Sequence, residues 1–244
     1  MRVALFATCL ADQLFPEVAV ASVKILRHLG VDVEFPEGQT CCGQPAFNAG
    51  YHREAREVAE HHVRVFEGYD CVVIPSGSCG GMVHHYPDLF NEAPEVFAPA
   101  RELSERTYEL TSFIREVLGR DEVGADLSGL KVVYHDSCHA LRLMGVREAP
   151  RELLVASGAE VREPEPAELC CGFGGLFSIK LPDVSAAMAR TRLEGLVASG
   201  AEVLTSTDAG CLMQLNGSLR RQRGDLEICH VAELLWRGIE TAGA

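Results

Sequence analysis

Eight of the ten cysteines in this sequence recur at matched positions in two halves of the chain. Cys41 lies 32 positions after Cys9, and Cys170 lies 32 positions after Cys138. Both intervals end in the tripeptide Cys-Cys-Gly, and a further cysteine follows a small-residue turn in each half. The eight paired cysteines are Cys9, Cys41, Cys42, Cys79, Cys138, Cys170, Cys171 and Cys211.

Four thiolates in one small volume are suited to tetrahedral zinc or to an iron–sulfur cluster. Structural zinc sites usually take their ligands from C-x₂₋₄-C pairs, whereas here the close pairs are vicinal, at 41–42 and 170–171. Adjacent side chains on an extended backbone diverge, which favours a multi-atom cluster, and zinc remains the alternative. Gly43 and Gly172 leave room for backbone to pass close to inorganic sulfur. A disulfide-exchange site ranks third, because neither half carries the C-x-x-C pair typical of one.

Two cysteines fall outside this pattern. Cys71 aligns with Val203, and Cys229 aligns with Phe97 when 95–97 is set against 227–229. A buried free cysteine behaves as a small hydrophobic residue, so both are predicted to lie in the core.

The residues between the cysteines predict an α/β fold of two pseudo-repeated, Rossmann-like units with parallel sheets. Apolar or β-branched runs predict strands, and amphipathic stretches between them predict helices. Strands are expected at 2–7, 31–35, 72–75, 131–135, 159–162 and 203–206, and helices at 16–29, 51–66 and 183–198. The units are predicted to occupy 1–120 and 121–244, joined through 91–130 with a helix at 100–118.

These elements decide where the cysteines lie. In each unit two cysteines follow the carboxyl ends of strands, where open α/β sheets place their ligands, and the Cys-Cys pair follows a neighbouring strand and loop. Four thiols are therefore expected to converge in each unit, giving two sites.

Composition limits the class of protein. The 244 residues are 47% hydrophobic and 23% charged, which is typical of a globular protein, and the net charge is −13. That charge argues against nucleic acid or an anionic membrane surface as the main partner. The sequence also lacks the ~18 consecutive apolar residues of a membrane span. The N-terminal residues are not predicted to form a signal peptide, so a cytoplasmic location is expected. In that reducing compartment, clustered cysteines point first to metal or redox chemistry rather than to disulfides.

The cysteine order resembles the cysteine-rich (CCG) domain family, whose members include one of the subunits of heterodisulfide reductase and the glycolate oxidase iron–sulfur subunit. The flanking residues are similar to the lactate utilization A branch of that family. This resemblance implies an iron–sulfur electron-transfer component of a system that oxidises L-lactate to pyruvate. It also implies two partner subunits, one iron–sulfur protein and one further protein. The segments whose residues carry this resemblance are 75–83, 134–139, 170–175, 208–213 and 230–235.

The chain departs from the wider family at two positions. The family pattern ends each unit in Cys-x-x-Cys, but the first cysteine of that pair is Ser76 in one unit and Asp208 in the other. Four thiols per unit fit a cubane [4Fe–4S] cluster held by four cysteines, so two such clusters are expected. Asp208 is predicted to act in a turn or as a helix N-cap rather than as a weak ligand.

Histidines surround the second set of cysteines. His135 and His139 are the candidates for proton transfer or substrate contact, and Arg142 and Lys180 for attracting a carboxylate. The alternative role of these side chains is to donate hydrogen bonds to cluster sulfurs and to compensate cluster charge. The histidines at 61, 62, 84 and 85 are predicted to lie in solvent on polar helix faces.

Two other functions stay open at this point: a catalytic iron–sulfur subunit like those of heterodisulfide reductase or glycolate oxidase, and a two-zinc binding module. Oxidation of a 2-hydroxy acid normally uses a nicotinamide or a flavin. The sequence has no G-x-G-x-x-G after a predicted strand, so the chain alone is not expected to oxidise lactate.

Overall fold

Two four-stranded parallel sheets form the framework of the computed structural model, which describes residues 1–222 and 224–243. The strand orders are β2-β1-β3-β4 and β6-β5-β7-β8, so the second sheet repeats the topology of the first. The predicted α/β fold with two parallel sheets is thereby confirmed. The strands are β1 (Val3–Leu5), β2 (Val33–Glu34), β3 (Cys71–Ile74), β4 (Thr107–Glu109), β5 (Lys131–Tyr134), β6 (Glu160–Arg162), β7 (Val203–Ser206) and β8 (Glu227–His230).

Helices connect and cover the strands of both sheets. In the first half they are α1 (Cys9–Leu14), α2 (Pro16–His28), α3 (Gln44–Asn48), α4 (His52–Val65), α5 (Gly77–His84), α6 (Tyr86–Leu89), α7 (Pro94–Glu105), α8 (Leu110–Ser112) and a π-helical turn (Phe113–Val117). In the second half they are α9 (Cys138–Leu143), α10 (Glu148–Ala156), α11 (Leu176–Lys180), α12 (Pro182–Ala198), α13 (Ala209–Gln222) and α14 (Val231–Ala242). Across the described ranges, we find no helix with the length and apolar character needed to cross a membrane.

The segment between the units differs from its prediction. Instead of one helix over 100–118, α7 ends at Glu105 and is followed by strand β4. Thr107 and Tyr108 are residue types that favour strands, and β4 pairs with β3 at the edge of the first sheet. The buried carboxylate of Glu109 then accepts hydrogen bonds from the N–H groups of Thr111 and Ser112, which starts α8.

Strand β4 also corrects the alignment of Cys229. Cys229 lies in β8, the strand equivalent to β4, whereas Phe97 lies in helix α7. The pairings of β4 with β3 and of β8 with β7 make Tyr108 the counterpart of Cys229, and Glu109 the counterpart of His230. Cys71 and Cys229 are both buried, as predicted.

A continuous apolar core lies between the two sheets. Side chains of β1 alternate, so that Val3 and Leu5 enter this shared core while Ala4 enters a separate core on the other face of the first sheet. Helices α2 and α14, one from each half, pack against each other within the shared layer. The second sheet contributes to the same core through Val132 and Tyr134. Each sheet is therefore covered on both faces, as expected for parallel sheets.

The helices that carry cysteines meet where the two halves join. Helix α5 of the first half lies against α9 of the second half, and α1 contacts α13. The first contact is close enough that a Cβ at Gly77 would overlap the Cβ of Ala140. The N–H of Gly77 also donates to the carbonyl oxygen of Thr207 across this junction. The carboxyl ends of the two sheets consequently face the same region of the molecule.

Candidate metal centres

All eight paired cysteines line one cavity of about 200 Å³ at the junction of the two halves. The sequence predicts two sets of four thiols but does not indicate that both would border the same space. We call Cys9, Cys41, Cys42 and Cys79 the first thiol set. We call Cys138, Cys170, Cys171 and Cys211 the second thiol set.

In the first thiol set, Cys9 begins α1, the vicinal pair precedes α3, and Cys79 lies in the first turn of α5. The thiols adjoin one another in the order 9–41–42–79. Contact with Cys42 and Cys9 holds the pKa of Cys41 far below its usual range, because both neighbours hydrogen-bond to its sulfur. The same contact raises the pKa of Cys9, and contact with Cys41 and Cys79 raises that of Cys42. These pKa shifts favour a thiolate at Cys41, with the neighbouring thiols as its hydrogen-bond donors.

The second thiol set repeats this arrangement in the order 138–170–171–211. The Sγ atoms of Cys171 and Cys211 are 3.0 Å apart. Contact with Cys138 and Cys171 lowers the pKa of Cys170, the residue equivalent to Cys41. The N–H of Gly172 also donates to the sulfur of Cys170 at 3.3 Å. The duplicated spacing of the sequence therefore corresponds to a duplicated arrangement of sulfur atoms.

A glycine in the left-handed region shapes the turn after each vicinal pair. Gly43 has φ of 85° and Gly172 has φ of 82°. A Cβ at Gly172 would lie 2.6 Å from the carbonyl oxygen of Ser185, whereas one at Gly43 would lie 3.4 Å from that of Ala55. The Cys-Cys-Gly tripeptide thus requires its glycine for backbone conformation in both halves and for space in the second.

The donor atoms fit an iron–sulfur cluster with four cysteine ligands in each set. Each set gathers four sulfur atoms, and in the second set peptide N–H groups point at two of them, the sulfurs of Cys170 and Cys171. The second set also brings a ring nitrogen of His135 within 4.8 Å of the sulfurs of Cys171 and Cys211, a grouping able to bind a metal ion. Zinc therefore remains chemically compatible with the second set.

Ser76 and Asp208, which stand where the wider family pattern has a cysteine, cap helices. The hydroxyl of Ser76 accepts from the N–H of Cys79 at 3.4 Å. The Oδ1 atom of Asp208 accepts from the N–H groups of Gly210 and Cys211, which confirms the predicted cap. Its Oδ2 atom accepts from the N–H of Ser78 at 2.7 Å, so Asp208 also joins the two halves.

His135 lies behind the second thiol set, with no exposed surface. Its Nδ1 atom accepts a hydrogen bond from Nε of Arg192 at 2.9 Å. Burial and the neighbouring guanidinium lower the pKa of His135 to about 3. Arg192 is not among the residues predicted from the sequence, although it follows Ser185 and Ala189 on the buried stripe of α12.

The other predicted histidine and the two predicted cations are placed differently. His139 is partly exposed, lines the cavity, and has its Nδ1 atom 3.7 Å from Sγ of Cys138. Arg142 and Lys180 are exposed and lie outside the cavity lining. Of these four candidates, therefore, only His135 and His139 lie beside thiols.

The predicted solvent exposure of His62 is wrong. His62 is fully buried, packs edge-on against Phe6 with ring centroids 4.6 Å apart, and its Nε2 atom hydrogen-bonds the carbonyl oxygen of Thr40. Burial lowers the pKa of His62 to about 4. Its spacing from Ala55 and Ala59 places it on the buried stripe of α4, a signal that its polar neighbours obscure. The histidines at 61, 84 and 85 are partly buried.

Comparison with solved structures shows the fold alone. A crystal structure described as a hypothetical protein from Helicobacter pylori superposes with a TM-score of 0.72 at 9% sequence identity. The match covers 99% of this chain and 50% of that chain, so this chain spans half the length of that protein.

Comparison with sequences shows the family. The model of the CCG cysteine-rich domain matches residues 3–84 and 132–216, one match in each half. Lactate utilization protein A of Geobacillus sp. (strain WCH70) is 46% identical over 96% of this chain and 99% of its own length. The protein of the same name from Exiguobacterium sp. (strain ATCC BAA-1283 / AT1b) is 46% identical over 99% of both chains. This chain belongs to the cysteine-rich (CCG) domain family and, within it, to the lactate utilization protein A family.

Proposed function

We propose that this chain is the iron–sulfur electron-transfer component of a system that oxidises L-lactate to pyruvate. The observation that carries the proposal is the repetition of one four-thiol arrangement at the ends of equivalent elements in both halves. The names of the relatives, lactate utilization protein A, supply the metabolic setting.

Each thiol set would hold one [4Fe–4S] cluster through its four cysteines. Such a cluster transfers single electrons when bound. The protein's own contribution is to exclude water and to supply hydrogen-bond donors to sulfur. In the second set those donors are the peptide N–H groups of Gly172 and Phe173, which face the sulfurs of Cys170 and Cys171.

The chain is expected to need partners to complete lactate oxidation. Removal of two electrons from a 2-hydroxy acid normally uses a nicotinamide or a flavin, and the sequence lacks the glycine motif of a dinucleotide site. We assign that step to two other subunits, one iron–sulfur protein and one further protein. The net charge of −13 suits docking on a basic partner surface. All ten cysteines are free thiols, which suits a reducing cytoplasm.

The two candidate catalytic histidines differ in access. His135 has no exposed surface and is held by Arg192, which suits a fixed hydrogen-bond donor better than a group that contacts substrate. His139 borders the cavity and is partly exposed, so it is the residue to test for a catalytic role.

Metal analysis after anaerobic purification tests the proposal directly. Two [4Fe–4S] clusters correspond to about eight iron and about eight sulfide per chain, with a brown colour and an EPR signal on reduction. Colourless protein with two equivalents of zinc would overturn the iron–sulfur assignment and support the zinc module, which the grouping of His135, Cys171 and Cys211 makes chemically reasonable.

An activity assay separates a relay from a catalytic subunit. Reconstituted protein is mixed with L-lactate and an artificial electron acceptor, with and without the partner subunits. Turnover is expected only when the partners are present. Turnover by the isolated chain that disappears in His139→Phe would instead make this chain a catalytic subunit like those of heterodisulfide reductase or glycolate oxidase.

A further inference from the structure

The two thiol sets have different side chains buried behind them at equivalent positions. Phe6 directly follows β1, and His135 directly follows the equivalent strand β5. Their N–H groups donate to the carbonyl oxygens of Val73 and Thr205, which are matching residues of β3 and β7. His62 in α4 and Arg192 in α12 are also equivalent, as their spacing along the chain shows. Position 192 lies 130 residues after 62, just as Ser185, which neighbours Gly172, lies 130 residues after Ala55, which neighbours Gly43.

These substitutions change the charge behind the sulfur atoms. In the first half an apolar ring packs on a buried histidine whose pKa is lowered to about 4, so the pair is neutral at pH 7. In the second half the corresponding pair contains the guanidinium of Arg192, which stays protonated throughout the accessible pH range. The pair behind the first set is therefore neutral and the pair behind the second carries a positive charge. The buried carboxylate of Asp208, which stands where the first half has Ser76, opposes that charge at Cys211 and Cys138.

Arg192 has no carboxylate partner within the described residues. The side chain of Arg192 has no exposed surface. Its Nη1 atom donates to the carbonyl oxygen of Pro166 at 2.6 Å, and its Nη2 atom has no hydrogen-bond partner among the described residues. The two acidic residues that attract it, Asp136 and Glu163, are already bound by Arg151. A buried cation is costly unless negative charge compensates it. Once they are thiolates, the sulfurs of Cys171 and Cys211 are the other groups whose negative charge attracts Arg192.

The hydrogen bond between Arg192 and His135 also fixes the histidine tautomer. Because Nε of Arg192 is a donor, Nδ1 of His135 must be an acceptor, which leaves the ring proton on Nε2. This Nε2 atom is buried and has no hydrogen-bond partner among residues 1–222 and 224–243. With Nδ1 engaged, Nε2 is the free nitrogen of a ring that lies within 4.8 Å of the sulfurs of Cys171 and Cys211.

We propose that Arg192 is a positioning residue that fixes His135 as an N–H donor to the second thiol set and, with its own charge, makes that set the stronger electron acceptor of the two. This inference rests on the proposed function. The physical reason is that an added electron increases negative charge, which a nearby cation and an N–H donor stabilise. The first thiol set lacks both contributions at the equivalent positions, where it has Phe6 and His62.

A redox titration monitored by EPR on the iron-loaded full-length chain tests the proposal. Cys42→Ser and Cys171→Ser, each leaving one intact set, assign the two midpoint potentials. We expect the higher potential to belong to the second set. In His135→Phe combined with Arg192→His, which copies the first half, that potential should fall by about 59 mV, a tenfold change for one electron. His62→Met is the matched control and should leave the second set's potential unchanged.

A conservative variant separates the hydrogen bond from structural damage. His135→Gln keeps an acceptor for Arg192 and an N–H donor for sulfur, so it should retain most of the wild-type potential, whereas His135→Phe should not. A lower potential for the second set in the wild-type chain, or equal potentials in His135→Phe and wild type, would overturn the proposal. Iron lost from the second set alone in His135→Phe, with unchanged circular dichroism, would make His135 a ligand and also overturn it.

A measurement on the metal-free chain keeps this inference separate from the proposed function. The thiolate is the form that reacts with iodoacetamide, and Arg192 should stabilise thiolates in the second set only. At fixed pH, Arg192→Met should slow the alkylation of Cys171 about tenfold and leave that of its equivalent, Cys42, unchanged. If the chain binds zinc and no iron, the proposed function fails while this rate still decides the role of Arg192. Equal slowing at both cysteines, or none, contradicts that role.

Discussion

Comparison of the first and second thiol sets shows which features the duplicated fold holds constant and which it leaves free to vary. Both sets have four thiols in the same contact order, and in both the first cysteine of the vicinal pair has a strongly lowered pKa. The residues behind them differ, with Phe6 and His62 in one half and His135 and Arg192 in the other. The ligand geometry thus follows from the repeat, while the electrostatic environment is specific to each half.

The largest expected effect is loss of iron from one set at a time. Serine at position 41 or 42 should remove about half of the bound iron, and serine at 170 or 171 the other half, because each set needs its four thiolates. The controls Cys71→Ser and Cys229→Ser should keep full iron, since these cysteines lie in the core between the sheets. Iron and sulfide content per chain is the measurement. Full iron in Cys42→Ser together with loss in Cys71→Ser would show that the wrong cysteines are paired.

The next largest difference concerns the glycine after each vicinal pair. Gly172→Ala should lower the free energy of unfolding by about 3 kcal/mol, because the new Cβ is strained at positive φ and also meets the carbonyl oxygen of Ser185. Gly43→Ala should cost about 1 kcal/mol, since its Cβ makes only ordinary contacts. Urea denaturation of the metal-free variants measures both values. Equal losses would mean that the two turns are equally tight.

A smaller difference is expected at the two helix caps. Asp208→Ala should lower the free energy of unfolding by about 2 kcal/mol, because the N–H groups of Ser78, Gly210 and Cys211 lose their acceptor. Ser76→Ala removes two long hydrogen bonds, one from the N–H of Cys79 and one with the hydroxyl of Ser78, and should cost about 1 kcal/mol or less. Thermal or urea unfolding of both variants gives the comparison. A greater loss in Ser76→Ala would contradict the assigned role of Asp208 at the junction.

The smallest effect is a dependence of stability on pH. Burial lowers the pKa of His230 to about 4, so between pH 6.5 and 4 the unfolded chain binds a proton that the folded chain does not. The free energy of unfolding should therefore fall as the pH is lowered, by about 1 kcal/mol from this residue between pH 7 and 5.5. His230→Asn keeps an acceptor for the N–H of Ala232 and should remove this part of the dependence.

The counterpart of His230 gives the control for that experiment. Burial raises the pKa of Glu109, so its contribution to stability falls as the pH rises. Glu109→Gln should therefore alter the pH dependence in the opposite sense to His230→Asn. An unchanged pH profile in His230→Asn would show that His230 does not titrate on unfolding in this range.

The sequence was sufficient to predict six of the eight strands, all but β4 and β8, and the two thiol sets, because these follow from a repeated spacing. Cys9 and Cys138 mark equivalent strand ends, and the strands before them are short apolar runs that need no tertiary information. Strand β4 could not be predicted because, although Thr107 and Tyr108 favour strands, it has only three residues and lies between two helices. Its role depends on pairing with β3, which no local pattern encodes.

The polar residues behind the thiols were harder to predict for a different reason. His62 and Arg192 occupy the third place of a buried stripe, after Ala55 and Ala59 in α4 and after Ser185 and Ala189 in α12. Buried charged side chains are rare, so a charged or polar residue on a helix is normally expected to be exposed. Aligning the two stripes reveals both positions, since the same spacing is buried in each half.

The shared core between the sheets has a consequence for the autonomy of the repeats. Helix α2 from the first half and helix α14 from the second enclose the same apolar layer, together with residues of both sheets. A fragment containing one repeat would present its side of that layer to water, at a cost of about 25 cal/mol for each Å² uncovered. We therefore expect the duplicated chain to unfold as one cooperative unit, and a single repeat made as a fragment to be unstable without the other.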